Sequence, residues 1–337
     1  MTRFLTTVSA LAWLAACGDG QPLFEDVQSD AQVADDDDLD LPPGTEDVSA
    51  SSDIFRFEAR NSQGGGLVTD VSYNAANDTF SVDNLGFDGE NVYTRKTGAL
   101  ATLGTTRVYE ADATVRDFLT GDPVSQIVPY VALYGVSKNR VDGDPRTSFA
   151  IVRTGGYAGY GFGGYVYERN GGTVLPNEGQ ATFSGDYAGV RVFAPARSQL
   201  EYVTGKMSID IDFEDFNAND AVKGAITNRR FFDENGVRIV TGTGPDDLQS
   251  PNVPIIVVEG SKSLSTAGEI EVELQNFILN ESGVLEPYEG GKFTGIIAGD
   301  TTSGSGGEIV GVVVLESEDP RFEGITAQET GGVILYR

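Results

Sequence analysis

Four sets of side chains could do chemistry in this chain. One is a lone thiol, Cys17. Another is the carboxylates, 51 in all, with dense runs at residues 35–38 and 210–215. A third is the run Gly159, Gly161 and Gly164, which fits G-x-G-x-x-G. The last is an aromatic group, Tyr157, Tyr160 and Phe162. Histidine is absent from all 337 residues. That removes Ser-His-Asp and Cys-His nucleophiles, histidine-bound zinc and histidine-ligated haem iron.

Spacing then tests each set. A dinucleotide loop needs a strand before its glycines and a helix opening after them. Here "YVYERNGG" follows, an alternating strand and a turn, so the glycines read as packing positions or a strand kink. An EF-hand loop starting at Asp210 needs Gly at position six and Glu at position twelve; it meets Asp215 and Ala221 instead. A looser calcium site at 215–220 is weighed against a plain strand and turn, and the plain reading is taken. Paired carboxylates could cleave a glycosidic bond, but no spacing singles out an acid and a base. The sequence therefore assigns no catalytic residue, no metal ligand and no cofactor. Tyr157, Tyr160 and Phe162 are the candidate binding residues, because exposed aromatics give large, rigid contact area. Tyr165 and Tyr167, two residues apart, are read as packing within a sheet.

Cys17 closes an N-terminal pattern: one positive charge at Arg3, an apolar or small run over residues 4–16, then Leu14-Ala15-Ala16-Cys17. The run is too short for a bilayer-spanning helix and has the form of a secretory signal. Its end resembles the lipobox of bacterial lipoproteins. That resemblance implies a signal peptide over 1–16, acylation of the Cys17 thiol and cleavage before it. It also accounts for a cysteine without a disulfide partner. Several acyl chains hold a protein stably on a membrane. Gly18, standing where an Asp would signal inner-membrane retention, implies the outer membrane.

The elements that must position these groups are strands. Residues 17–52 carry the run 35–38, two prolines and few large apolar side chains, so they are expected to form an acidic, disordered tether. The run itself is read as a spacer rather than a calcium site. From Ile54 onward short alternating runs are separated by Gly- and Asn-rich turns, with a hairpin expected around 74–78. "KMSIDIDFEDF" places Met207, Ile209, Ile211 and Phe213 on one face. "GEIEVELQNFIL" places Ile270, Val272 and Leu274 inside and Glu269, Glu271 and Glu273 outside. "NDAVKGAITNRRFF" has Gly224 at its centre and reads as strand and turn. "EIVGVVVLES" and "GGVILYR" are further strands. The fold class expected is all-β, with a barrel or sandwich whose last strand pairs with the first of its domain.

Four motifs sharpen this. "GQATFSGDYAG" at 179–189 resembles the G-x-A-x-Y-x-G motif of the transferrin-binding protein B-like β-barrel family, with Phe183 in place of its Tyr. "IDIDFEDFNANDAVKGAITN", "GGKFTGIIAG" with "GGEIVGVVVLES", and the closing "QETGGVILYR" are similar to its strand–turn–strand, its G-x-F-x-G hairpin and its terminal strand. The resemblance covers residues 173–337. It implies an eight-stranded antiparallel β-barrel there, a β-rich handle domain at 53–172, and a surface or periplasmic lipoprotein. Members of that family bind host iron proteins, haem proteins or complement regulators; none of these ligands carries over, because contact loops are not motif positions.

A net charge of −28 excludes a nucleic-acid partner and peripheral binding to anionic lipid. The expectation is a lipid-anchored outer-membrane protein at the cell surface, with the periplasmic face as the other placement. It acts as a non-catalytic binding or substrate-capture module for an unidentified protein or small molecule. The membrane is a partner through the lipid, and an extracellular protein or an outer-membrane transporter is the expected soluble or embedded one. The alternative is a structural envelope lipoprotein whose barrel contacts an outer-membrane partner.

Overall fold

The computed structural model describes residues 39–337, apart from 83–84, 86–91, 118–119, 126–127, 155–158, 196–198, 215–220, 240–252, 257–262, 280–281 and 303–305. Strands make almost all of its regular structure; the helical piece among the described residues is one 3-10 turn, Gly98–Leu100.

The first sheet is an antiparallel run of β1 (Ile54–Phe57), β2 (Val71–Asn74), β3 (Thr79–Val82), β4 (Val92–Arg95), β5 (Thr106–Glu110), β6 (Val131–Val136), β7 (Thr147–Arg153) and β8 (Gly163–Arg169). In space the order is β1-β8-β7-β6-β5-β4-β3-β2. β2 and β3 form the expected hairpin, closing at the Asn74↔Thr79 pair. Its turn works because Asp78 takes a left-handed conformation, φ 50°, which short polar side chains tolerate. Asp78 then accepts hydrogen bonds from the hydroxyls of Tyr73 (3.0 Å) and Tyr109 (2.7 Å).

The second sheet closes on itself. β9 (Gln180–Ala194), β10 (Glu201–Asp212), β11 (Val222–Phe232), β12 (Val253–Ile256), β13 (Glu269–Leu279), β14 (Leu285–Asp300), β15 (Glu308–Glu318) and β16 (Thr326–Tyr336) pair each with the next, all antiparallel. The ring shuts between β16 and β9, from Ser184↔Tyr336 to Ala194↔Thr326. The fold is thus all-β with an eight-stranded antiparallel barrel, and closure leaves that sheet no long bare edge. Inward positions follow period two: Phe183 and Tyr187 on β9, Met207, Ile209 and Ile211 on β10, Phe293 and Ile297 on β14, Leu335 on β16.

Handle sheet and barrel share one core. The sheet lies on the outer face of β14, β15, β16 and β9. There Val108, Leu133, Phe149, Ile151, Tyr165 and Tyr167 meet Ile296, Val310, Val312, Ala188 and Val190. The two expected domains therefore belong to a single compact unit, Ala34–Arg337. β16 shows how close the layers come. A Cβ on Gly331 would overlap the ring of Tyr187 inside the barrel, and one on Gly332 would overlap Phe149 of the handle outside it. Adjacent glycines serve opposite faces because successive residues of a strand point opposite ways.

Charge pairs lock the seam. Arg56 of β1 meets the Glu269 carboxylate through Nε (2.8 Å) and a terminal nitrogen (2.9 Å), both residues buried. Arg153 of β7 holds Glu58 at 2.8 Å and donates to Thr330 of β16. Arg169, fully buried, donates to the carbonyls of Ser49, Ser52, Ala267 and Ile297; burial pulls its pKa down to about 10 against the raising effect of Glu269 and Asp53.

Two expectations are corrected here. Glu269, read as solvent-facing, is 1% exposed, because the handle sheet covers the outer face of β13 at that end. The tether, read as disordered to residue 52, is held from Pro43 onward. Thr45 N–H donates to the Phe55 carbonyl, Phe57 N–H to that of Pro43, and Thr173 N–H to that of Ala50. Backbone bonds to the free side of β1 order a segment whose composition alone would not.

Candidate functional site: the charged end of a filled barrel

The sequence-predicted site residues are not brought together. Cys17 and Tyr157 lie outside the described residues, as do residues 1–38 and the acidic turn 215–220. Tyr160 is a core residue rather than a surface one. It is 6% exposed, and its hydroxyl donates to Thr326 Oγ1 at 2.9 Å. Burial also raises its pKa. Phe162 is half-buried against the outer layer of the handle, with Val68 and Val152 in the same cluster. The glycine run between them leads straight into β8, so no helix opens there to take a phosphate. Tyr165 and Tyr167 stack in the sheet, ring centroids 6.4 Å apart.

What the fold assembles instead is a charge cluster inside one end of the barrel. Its members occupy inward positions near the ends of their strands: Arg191 (β9), Glu201 (β10), Arg229 (β11), Asn276 (β13), Glu289 (β14) and Glu329 (β16), with Asp319 and Arg321 from the turn after β15. Arg229 is the hub. It reaches Glu289 at 2.6 and 3.1 Å and Glu329 at 2.6 Å. Glu289 also accepts from Asn276 Nδ2 at 3.0 Å. Tyr187 donates to Glu329 at 2.6 Å from the boundary between the charged half and the apolar half. Arg191 pairs with Glu201 at 2.8 Å, and Arg321 bridges Glu201 (2.7 Å) and Asp319 (2.5 Å). Phe231 lies under both Arg229 and Arg191, at 5.2 and 5.0 Å, which favours guanidinium groups that are weakly hydrated.

The electrostatics follow from pairing under burial. Burial alone would lower the Arg229 pKa, but Glu329 and Glu289 outweigh it and hold it above its ordinary value. Burial would raise Asp319; the hydrogen bonds and charge of Arg321, with Arg191, bring it below the usual carboxylate range. Tyr187 is pushed well up by burial and by Glu329. Each carboxylate of the cluster is engaged by a guanidinium. The other half of the lumen is filled by Phe183, Met207, Phe293 and their neighbours. Small barrels of this strand number are commonly filled in this way.

Among the described residues, open clefts follow the seam outside the barrel. One of about 450 Å³ is lined by Arg95, Lys96, Glu110 and Glu234; another of about 540 Å³ by Asp186, Lys206 and Tyr336. Their cations already have partners: Arg95 with Asp78, Lys96 with Glu110, Lys206 with Asp186. No group of three or more Asp, Glu or Cys among the described residues converges as a metal site.

The sequence reading missed the cluster because its members are scattered from Arg191 to Glu329. The one available signal was parity. Glu289 and Glu329 fall on the inward period of their strands, where a charge needs a partner; Arg229 is off the period set by Val222 and Ile226 and turns inward only because the pairing of β11 with β10 shifts register after Thr227.

No family model and no curated protein matches the chain. Solved structures are similar to it at low identity. A point mutant of the vaccine antigen transferrin-binding protein B from Haemophilus parasuis Hp5 is 12% identical over 80% of this chain and 46% of its own, with a TM-score of 0.32. A double mutant of the same antigen is 11% identical over 85% and 51%, TM-score 0.33. Intact Ap-TbpB with its N and C lobes is 13% identical over 80% and 46%, TM-score 0.31. The chain spans about half the length of these structures.

Proposed function

We propose that this chain is a lipid-anchored outer-membrane protein that binds a partner without catalysing a reaction. The carrying observation is the barrel interior. Its apolar half is packed and its charged half is self-paired, so binding falls to the outer faces and end loops. The anchoring rests on the sequence, with Cys17 behind its apolar run and an acidic segment between it and the folded unit. The ordered stretch 43–52 gives that segment a firm attachment to the handle. On this reading the two-layer body is held off a membrane by a charged spacer.

Protease digestion of intact cells, with Cys17→Ala as control, tests placement. Loss of the folded unit from whole cells while periplasmic markers survive supports outward display. Release of the Cys17→Ala protein into the soluble fraction supports the anchor. Saturable capture of a soluble ligand from the growth medium by the purified folded unit tests binding; absence of any saturable ligand, with co-purification of an outer-membrane protein only, overturns it.

A further inference from the structure

One hairpin at the charged end of the barrel runs past the described residues of its neighbouring strands. Among the described residues, β12 pairs with β13 at Leu274 and Glu273, and β15 pairs with β14 no further than Glu289. Residues 276–279 and 285–288 thus pair as a two-stranded ribbon, with no further strand beside them among the described residues. On its outer face the cross-strand pairs are Phe277↔Pro287 and Leu279↔Leu285. Phe277 is 41% exposed, Leu279 and Leu285 each 65%, and Val284 in the turn 58%. Of the eight large apolar side chains exposed among the described residues, four are on this one tip. Phe322, in the turn after β15, is exposed at the same end of the barrel.

A solvent-facing ribbon has no folding reason to carry two consecutive apolar cross-strand pairs, since burial is what makes such pairs stabilising. The ribbon is also held still at its base. Glu289 ties Asn276 of the same hairpin to Arg229 across the lumen, and Asn276 Oδ1 accepts from the Phe277 N–H at 2.8 Å. A preorganised apolar tip loses little entropy on binding.

We propose that the outer face formed by Phe277, Leu279, Leu285 and Pro287 is a docking surface for a partner protein that offers an apolar pocket rimmed by lysine or arginine. This rests on the binding-module reading above and names its surface. Charge fixes the occupant. Glu273 and Glu316 are exposed on the outer faces of β13 and β15, Glu286 is exposed on the ribbon, and Lys292 is held by Glu271 and Asp40. A bilayer with anionic headgroups would repel that rim. A second copy would bring the same carboxylates and another net charge of −28. A basic rim around an apolar pocket complements both features.

The test uses the mature chain and a fluorescent amphipathic helix of leucine and lysine as the probe. Leu279→Ser/Leu285→Ser should weaken probe binding at least about tenfold with an unchanged urea midpoint. Glu273→Gln/Glu316→Gln should weaken it less and flatten its salt dependence. Equal binding by wild type and the serine variant overturns the proposal. So does hairpin-dependent flotation with phosphatidylcholine vesicles, or a concentration-dependent dimer that the serine variant abolishes. Saturable capture from native medium is run in parallel. If both proteins capture equally, the surface is wrong and the module reading stands; if wild type captures nothing saturable, the module reading itself fails.

Discussion

Glu269 and Glu273 stand on the same outer face of β13, yet only Glu273 meets solvent. The difference runs around the whole barrel. Over β10 and β13 the outer face is largely wet, and the strands alternate: Met207, Ile209 and Ile211 in, Ser208, Asp210 and Asp212 out. Over β15 and β16 the handle sheet covers the outer face, and "EIVGVVVL" is apolar almost without break. β7 of the handle, buried at all seven positions, is the same case seen from the other layer. A strand alternates when one face is wet and loses alternation when both are covered. Periodicity in this chain reports the second layer, not the barrel.

The largest effect is expected inside the charged end. Arg229→Met leaves Glu289 and Glu329 buried without their cation and should cost about 3–5 kcal/mol, read as a fall in the urea midpoint. A loss below about 1 kcal/mol would mean the cluster does not hold the barrel together.

Next comes the pair on β13. Glu269→Ala strands the buried Arg56 charge and should cost about 3 kcal/mol or more. Glu273→Ala should stay within about 0.5 kcal/mol. Equal effects would remove the distinction between covered and wet walls.

Gly332→Ala pushes a methyl group into Phe149 and should cost about 1–3 kcal/mol. Gly290→Ala, where a Cβ meets only the Leu274 carbonyl at 3.6 Å, should be close to neutral, both variants being read by the urea midpoint.

Acid sharpens the contrast between the two ends. Asp319 sits below its ordinary value in the fold, so its ionised form stabilises the protein above a pH of about 4. That contribution is lost as pH falls through the lower folded value. The urea midpoint should therefore drop below about pH 4, and Asp319→Asn, weaker at neutral pH, should show a shallower acid decline. An unchanged acid slope would assign that limb to other carboxylates. The smallest effect is expected at the exposed pair Lys206–Asp186, where Lys206→Met should change stability by less than about 1 kcal/mol.

Much of the barrel was legible in the residues. The inward sets of β10 and β13, the hairpin at 74–78 and the closing strand "VILYR" all follow from local alternation and turn chemistry, and the register bears them out. Tyr160 and Glu269 were misread for a shared reason. Each lies at a seam where a distant element covers it, and no neighbour in sequence announces that. The segment 43–52 is a third instance, ordered by the edge of β1 rather than by its own composition.

By itself the sequence determined the all-β class, the strand spacing and the exclusion of histidine chemistry, because these depend on residue type and on contacts a few positions apart. Only the tertiary structure decided which charges are buried, which aromatics are exposed and where an apolar face is left open. Arg56 meets Glu269, and Arg229 meets Glu289 and Glu329, across separations that local pattern cannot carry. Burying a charge costs too much unless a partner arrives with it, and the fold alone brings that partner.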